Sequence, residues 1–516
     1  METGANSWPD VDLACERAWG AFGAWSVSGG GERAQLLETL AEVCGQHRDW
    51  IIGTASDETA LRETELEGEF ARMVGTMRMF AGQARDGAWV RASVDRASKE
   101  SVGPGHDVRS LLVPIGPVAV FGASNFPLAY GVLGGDTISA LSAGCTVVVK
   151  EHPAHPRLGR LLAELCEMAV ASAGAPRHVV QYVTDERPGQ AFEVATRLVT
   201  HARLAGVGFT GSRRAGLAID AMARQRPVPI PVFAEMGSSN VVLIARGAAR
   251  ERGEQIAGEL ADSILARFGQ QCTCAGLVLI DVPGASRAQR TVHPIIEQLR
   301  ARLLAHGPRE MLTPGVRDNY QKRLDDLDTP YDSEGKLSRT SAEPIGERAS
   351  VPALMESDLA ELKWSGPRYR EEIFGPACIV ACIDLDEPGQ LREVLESQGL
   401  GDPWSSLVSS IYLPARWREQ DRAAAEALRA HTGRLCFNTL PTGVRVCTSM
   451  VHGGPYPATN VPQTTAVGPR AIERWCRPAC YQNCPDALLP PELQDGNPLG
   501  LWRTVNGELT RAGVDR

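Results

Sequence analysis

At 516 residues the chain is long enough for two to four domains, a domain taking roughly 100–200 residues. Its 43% hydrophobic and 22% charged residues are the proportions of a globular chain with a large buried core. A net charge of −9 argues against a nucleic-acid partner, which needs a basic face, but not against a dinucleotide, which needs only a local positive site.

Thirteen cysteines without a repeated spacing, odd in number, read as reduced thiols rather than a disulfide framework. The acidic opening METGANSWPDVDL has no apolar core of a leader peptide. No stretch approaches the ~18 apolar residues that a spanning helix needs. A cytoplasmic protein without a membrane partner is expected.

Residues 10–85 read as helical, because apolar residues recur at three- and four-residue steps in ERAQLLETLAEVCGQHRDWII. Residues 86–112 are polar with β-like alternation at their start, as in a hairpin projecting from the body. From 113 the pattern becomes alternating strand and helix: PVAVFG, then a helix stopped by Gly144, CTVVVK, a helix again stopped by glycine, HVVQYV, and AGVGFTG running into a further helix. Such alternation predicts a parallel sheet with crossover helices. A second α/β region runs from about 236 to 470, with a loop and an apolar strand in SDLAELKWSGPRYREEIFGPACIVACI. The tail from 476 is rich in Pro, Asn and Asp but carries Trp502 and other aromatics, so it is expected to pack.

Four segments carry candidate chemistry. Cys272 lies among small residues in FGQQCTCAG; it is either a buried small hydrophobe or a nucleophile, and the choice depends on its partners. Glu235 in AEMGSSN closes an apolar strand, where a carboxylate is either a general base or a salt-bridged strand end. Asn125 in FGASNFPLAYG follows a strand and precedes a proline; its amide could donate to an oxyanion or cap a helix. In GFTGSRRAG a strand ends at Gly211, and small residues through Gly216 could let a phosphate reach backbone N–H groups at a helix N-terminus. This turn lacks the G-x-G-x-x-G of the ordinary dinucleotide fingerprint.

Taken together, SNFP, VVKEHP, FTGS, AEMG, GQQCT and EEIFGP occur in the order of the aldehyde dehydrogenase superfamily, and the resemblance covers residues 30–500. It implies an α/β fold of two Rossmann-type parallel-sheet domains with a small oligomerisation hairpin and tail. Residues 1–85 and 113–235 would bind the dinucleotide, 236–470 would form the catalytic domain, and 86–112 with 471–516 would serve oligomerisation. Longer stretches, including VHGGPYPATN and the tail RPACYQNCPDALLPPELQDGNPLGLWR, are similar to 2-oxoglutarate semialdehyde (2,5-dioxopentanoate) dehydrogenases.

The resemblance implies that Cys272 is the nucleophile, that Asn125 and the Cys272 N–H form the oxyanion hole, and that Glu235 activates the water that opens the thioester. Lys150 would contact the adenosine ribose and Ser212 the pyrophosphate. Glu372 would bind the nicotinamide ribose, with Phe374 beside it, and Phe126 and Tyr130 would border the substrate tunnel. Glu235 favours hydrolysis over transfer to coenzyme A. NAD-preferring relatives tend to carry Glu where Pro153 stands, so NADP is implied, with NAD as the alternative, and Arg213 and Arg214 are candidate phosphate partners or solvent-facing charges. Arg72 would pair with the substrate carboxylate, while Arg78, six residues on and so ~120° around the helix, faces elsewhere.

The sequence departs from this branch at Gln271 and Cys274, which flank the nucleophile and bear on substrate range. No resident metal is expected: Cys476, Cys480 and Cys484 are interrupted by Pro478 and Pro485, and His152 and His155 read as turn residues. A homodimer or homotetramer acting on a small aldehyde is implied. The alternatives are a different, for instance aliphatic, aldehyde; a catalytically silent structural relative, against which Cys272, Glu235 and Asn125 speak; and an esterase activity.

Overall fold

The periodic apolar positions at the start fold as helices α1 (Val11–Ser26), α2 (Gly30–Gln46), α3 (Arg48–Thr59) and α4 (Glu63–Asp86). The structure is a computed structural model that describes residues 10–98, 102–185, 191–284, 293–328, 336–339, 344, 346–364, 369–396 and 404–514. Residues 1–9 of the acidic opening, 99–101 of the expected hairpin and 365–368 of the expected loop before EEIFGP lie outside these. In α4, Glu69, Phe70, Met73, Met77, Phe80 and Ala84 fall at helical spacing on the buried face. Gly87, with φ of 68°, ends that helix in the left-handed conformation that glycine adopts without penalty.

Two short strands follow, β1 (Ser93–Asp95) and β2 (Val108–Pro114), paired antiparallel. The next strands are β3 (Val118–Phe121), β4 (Val147–Lys150), β5 (Val180–Val183), β6 (Gly206–Thr210) and β7 (Val232–Glu235). Helices α5 (Gly135–Ala143), α6 (Pro156–Ser172), α7 (Ala191–Thr200) and α8 (Arg213–Arg224) connect them. They form a five-stranded, wholly parallel sheet in the order β5-β4-β3-β6-β7. Every residue of β3 and β4 is buried, which explains their unbroken apolar runs. The register sets Phe121, Lys150, Val183 and Phe209 side by side at the carboxyl edge, with Thr210 opposite Glu235 one step beyond.

The second sheet uses β8 (Asn240–Ile244) and β9 (Ala275–Asp281), joined through helix α9 (Arg246–Leu265). After the short β10 (Arg309–Glu310) come β11 (Lys336–Arg339), β12 (Ala349–Ser350), β13 (Ala353–Glu356), β14 (Ala377–Ile383), β15 (Ser406–Tyr412) and β16 (Thr432–Phe437). Seven strands pair in the order β11-β13-β14-β9-β8-β15-β16, with only the edge strand β11 antiparallel, and β10 pairs with β12 apart from them. Alternate residues face opposite cores: Leu243, Leu277 and Leu279 on one side, Val242, Val278 and Ile280 on the other.

The tail packs, though through Leu489, Leu493 and Leu501 rather than Trp502, which is exposed. Strand β17 (Cys476–Gln482) pairs along the whole of β2, and β18 (Arg503–Val505) and β19 (Glu508–Thr510) complete a five-stranded sheet ordered β17-β2-β1-β18-β19. Pro478 is accommodated because β17 is an edge strand. No helix among the described residues is long and apolar enough to cross a membrane.

Candidate active site

The carboxyl edge of the first sheet gathers four of the expected residues: Asn125 follows β3, Lys150 closes β4, Ser212 follows β6 and Glu235 closes β7. Open parallel sheets hold their ligands at this edge. Cys272 arrives from the opposite direction, three residues ahead of β9, at the amino edge of the second sheet.

The turn that delivers the cysteine is costly. Arg267 and Phe268 have φ of 47° and 54°, a region that non-glycine residues avoid. Contacts on three sides hold it there. Arg267 donates from Nη1 to the Asn125 carbonyl (2.8 Å) and from Nη2 to the Glu65 carbonyl (3.0 Å) and Glu69 Oε2 (2.7 Å). Its guanidinium lies 4.1 Å from the Phe126 ring centroid. The other Glu69 oxygen accepts from the backbone N–H groups of Leu128 (2.7 Å) and Ala129 (3.0 Å). At Gly269 a Cβ would overlap the Gly375 carbonyl, so only glycine lets the turn lie against the 374–376 loop. Asn240 then fixes the nucleophile's own backbone, donating from Nδ2 to the carbonyls of Cys272 (2.7 Å) and Cys274 (2.8 Å). Its Oδ1 accepts from Ser238 Oγ (2.9 Å) and Val408 N–H (3.2 Å), which leaves the amide fully committed.

At the centre, Sγ of the half-buried Cys272 lies 3.6 Å from His452 Nε2, and the same nitrogen lies 3.3 Å from Glu235 Oε2. One atom from each of the three side chains falls within 4.8 Å of the others. Glu235 is held by the return of the chain: its backbone bridges Thr459, and Met236 N–H donates to the Ala458 carbonyl at 2.8 Å. Burial pushes the Cys272 thiol well up, Glu235 and Glu372 push it further, and Arg72 opposes them. Burial also pushes the Glu372 carboxyl up, to about 8, against the backbone hydrogen bond from Ser238. The thiol therefore needs an acceptor to ionise.

Asn125 stands at the edge of the group, donating from Nδ2 to the Gln270 carbonyl at 3.1 Å. Arg72, half-buried on α4, donates to Tyr130 Oη at 2.8 Å and lies over the Tyr130 and Phe126 rings, at 5.1 and 6.0 Å from their centroids. The Tyr130 ring stacks on His452 at 6.4 Å, so the arginine cluster adjoins the thiol cluster. Arg78 is exposed, as its angular position on the helix predicts.

Comparison with known proteins follows from this geometry. The model of the aldehyde dehydrogenase family matches residues 2–393. The chain belongs to the aldehyde dehydrogenase family. It is 41% identical over 507 residues to alpha-ketoglutaric semialdehyde dehydrogenase 2 of Azospirillum brasilense, covering 97% of this chain and 91% of that one. It is 37% identical over 504 residues to alpha-ketoglutaric semialdehyde dehydrogenase of Acinetobacter baylyi, covering 97% and 92%. Among solved structures it superposes on a Thermus 1-pyrroline-5-carboxylate dehydrogenase with bound NAD (TM-score 0.72, 20% identity, 92% of this chain and 85% of that one). It also superposes on a Methanocaldococcus jannaschii glyceraldehyde-3-phosphate dehydrogenase complexed with NADP (TM-score 0.73, 16% identity, 92% and 93%). These two establish the aldehyde dehydrogenase fold and nothing finer.

In this aldehyde dehydrogenase the expected cofactor residues keep to the first sheet's edge. Lys150 Nζ lies 2.9 Å from Asp185 Oδ1 and 3.0 Å from the Glu151 carbonyl. Pro153 is exposed in the turn after β4. Ser212 caps α8 by accepting from Ala215 N–H at 3.3 Å. Gly211 is exposed, whereas Gly216 is buried, where a Cβ would press on Met236, so Gly216 has a packing reason as well. Arg213 turns to Tyr456 Oη at 3.0 Å, and Arg214 is exposed. The Glu372 carboxyl reaches into space that a Cβ on Gly237 would fill, and Phe374 packs half-buried against the first core.

Sequence reasoning missed His452, Asn240, Glu69, Arg267 and Asp185. The stretch VHGGPYPATN carries His452, but a single histidine in a glycine- and proline-rich loop has no spacing that ties it to a cysteine 180 residues away. Glu69 was legible only as a carboxylate on the apolar face of α4.

Two outcomes test this arrangement. Glu69→Gln leaves the Arg267 guanidinium buried and unpaired, at a cost of about 3–5 kcal/mol. Its urea midpoint should fall accordingly with an unchanged m-value, and a loss under ~1 kcal/mol would contradict the bracing role. His452→Ala removes the proton acceptor beside Cys272, so alkylation of Cys272 by iodoacetamide near neutral pH should slow by about 10²-fold or more. The deficit should shrink as pH rises and hydroxide takes over deprotonation; equal rates at neutral pH would dismiss His452 as the acceptor.

Proposed function

We propose that this aldehyde dehydrogenase oxidises 2-oxoglutarate semialdehyde to 2-oxoglutarate, through a thiohemiacetal and then a thioester on Cys272. The observation that carries this reading is the meeting of Cys272, His452 and Glu235 beside a half-buried arginine. Among the described residues no carboxylate forms an ion pair with Arg72, and its guanidinium has one hydrogen bond there, to the Tyr130 hydroxyl. A partly desolvated guanidinium is incomplete without an anion, and a substrate ending in a carboxylate supplies one in bidentate geometry. Substrates named in the curated relatives support the same assignment.

The steps follow from the positions. His452 Nε2 takes the Cys272 proton, and Glu235 at 3.3 Å from the same nitrogen stabilises the resulting imidazolium. The thiolate attacks the aldehyde carbon while Arg72 holds the far carboxylate, which fixes the reacting end over the sulfur. Asn125 and the Cys272 N–H stabilise the oxyanion, once the amide turns from the Gln270 carbonyl it now meets. The dinucleotide, when bound, accepts the hydride. Glu235 then draws a proton from the water that opens the thioester, releasing the acid and the thiol. A structural relative without activity would have no use for this convergence, and aldehyde-independent ester hydrolysis would be a side reaction of the same thiol.

The residues at the first sheet's edge fit a nicotinamide dinucleotide: a cation ending β4, an exposed glycine–serine turn at the start of α8 and the Glu372 carboxyl under Gly237. Pro153 removes one carboxylate that would repel a 2′-phosphate and so supports NADP. Asp185 brings a carboxylate to Lys150 and supports NAD. We assign the preference between them to that aspartate. The hairpin-and-tail sheet is assigned to oligomerisation, as a homodimer or homotetramer, with residues 1–85 and 113–235 as the dinucleotide-binding domain and 236–470 as the catalytic domain.

Steady-state kinetics with both dinucleotides tests these assignments. Arg72→Ala should lower kcat/KM for 2-oxoglutarate semialdehyde by about 10²-fold, the loss of a charge-assisted pair, and far less for an uncharged aldehyde of similar length. Equal losses would remove the carboxylate pairing, and with it the keto-acid substrate. Asp185→Asn should raise the NADP-to-NAD ratio of kcat/KM by roughly tenfold, as expected for deleting one negative charge near a phosphate; an unmoved ratio would place the determinant elsewhere.

A further inference from the structure

We propose that the catalytic cluster is also a binding site for one zinc ion, which inactivates the enzyme reversibly by occupying Cys272 Sγ, His452 Nε2 and Glu235 Oε2. Thiolate, imidazole and carboxylate are the three ligand types that zinc takes in proteins, and three protein ligands with an open fourth position are the pattern of accessible zinc sites. With bonds of ~2.3 Å to sulfur and ~2.0–2.2 Å to nitrogen and oxygen, a tetrahedral ion separates its ligands by roughly 3.3–3.6 Å. Here sulfur and nitrogen are 3.6 Å apart, and nitrogen and oxygen 3.3 Å. The remaining side, within 4.8 Å, closes by a small rotation of the glutamate.

Two further observations point to an ion. Glu235, 5% exposed, has Oε2 buried with no hydrogen bond, although a buried carboxylate oxygen normally has one. His452, 2% exposed, aims a single nitrogen at both the sulfur and the carboxylate, so it can serve only one of them by hydrogen bonding at a time, whereas a metal at the shared vertex satisfies all three. Cys272 is the one member of the three that is not fully buried, so an ion reaches the cluster past it.

Binding is a ligand exchange without redox. Hydrated zinc loses waters, the Cys272 S–H bond breaks as the Zn–S bond forms, and the proton leaves to solvent. The bound dication is balanced by one thiolate and one carboxylate. In that state Cys272 has no free electron pair for an aldehyde and Glu235 none for water, so both halves of the reaction stop. The thiolate is also shielded from oxidants.

The test is a metal titration of the chelator-treated full-length enzyme, with zinc and, separately, cobalt(II) as probe, and with no aldehyde or dinucleotide present. Its failure would therefore leave the oxidation of aldehydes at this site untouched. The wild type should bind one ion per chain that Cys272→Ala does not bind, with a thiolate-to-cobalt charge-transfer band; in a separate assay with aldehyde and dinucleotide, the zinc-loaded enzyme should be inactive and regain full activity on chelation. His452→Ala and the isosteric Glu235→Gln should each weaken that binding by about tenfold or more, and Cys274→Ser should leave it unchanged. No Cys272-dependent ion in the wild type would overturn the proposal. Unweakened binding in both His452→Ala and Glu235→Gln, or loss in Cys274→Ser, would overturn it too, because the ion would then rest on cysteines alone.

Discussion

The buried pair between Glu69 and Arg267 joins three segments that are remote in the chain. One carboxylate takes two backbone N–H groups from the 125–130 loop on one oxygen and the guanidinium of the cysteine loop on the other. The same guanidinium caps the Asn125 carbonyl and lies on the Phe126 ring. A buried ion pair is weak grounds for stability by itself, since desolvation offsets most of its attraction. Its use here is positional. Helix α4, the loop that carries Asn125 and the turn that leads to Cys272 are tied together by these hydrogen bonds. The left-handed backbone at Arg267 and Phe268 persists because these contacts over-determine it.

That rigidity sets the charge economy of the site. Burial first, then Glu235 and Glu372, raise the thiol's affinity for its proton, against Arg72 and a backbone hydrogen bond, so the resting thiol is neutral. A thiol held in that state is protected from stray electrophiles. It becomes a nucleophile when the imidazole beside it takes the proton, next to a carboxylate that welcomes the charge. In the familiar triad the acid orients the base through the ring's other nitrogen. Here the acid and the thiol share one nitrogen, so the imidazole can hold a proton toward either but not toward both at once.

Much of this was legible in the sequence, for physical reasons that differ from residue to residue. Strand β4 was readable because both its faces are buried and three valines precede Lys150, and the helix ends at Gly144 and Gly174 because glycine takes their positive φ without penalty. Cys272, Glu235, Asn125 and Lys150 were found through motifs that sit at strand ends, where fold and site share residues. His452 and Asn240 were not: His452 meets Cys272 and Glu235 only through tertiary packing, and Asn240 acts on the chain that leads into the neighbouring strand β9, 32 residues away. Asp185 escaped for a related reason: β5 is next to β4 in space, yet 35 residues separate Asp185 from Lys150, and a local reading at Pro153 cannot see it.

The same logic explains why the chemistry lies between the two sheets and in neither alone. A parallel sheet offers its carboxyl edge to a dinucleotide, and Asn125, Lys150, Ser212 and Glu235 all lie along that edge. A nucleophile drawn from the same edge would compete with the phosphates for the short space above the strands. Cys272 instead comes in from the amino edge of the other sheet and meets Glu235 through His452 at that carboxyl edge. The cost is that the cysteine loop must be built against the carboxyl edge of a different sheet. Arg267 at Asn125 is the contact that meets it, while Asn240 at the Cys272 carbonyl and Gly269 against Gly375 hold the loop to its own sheet.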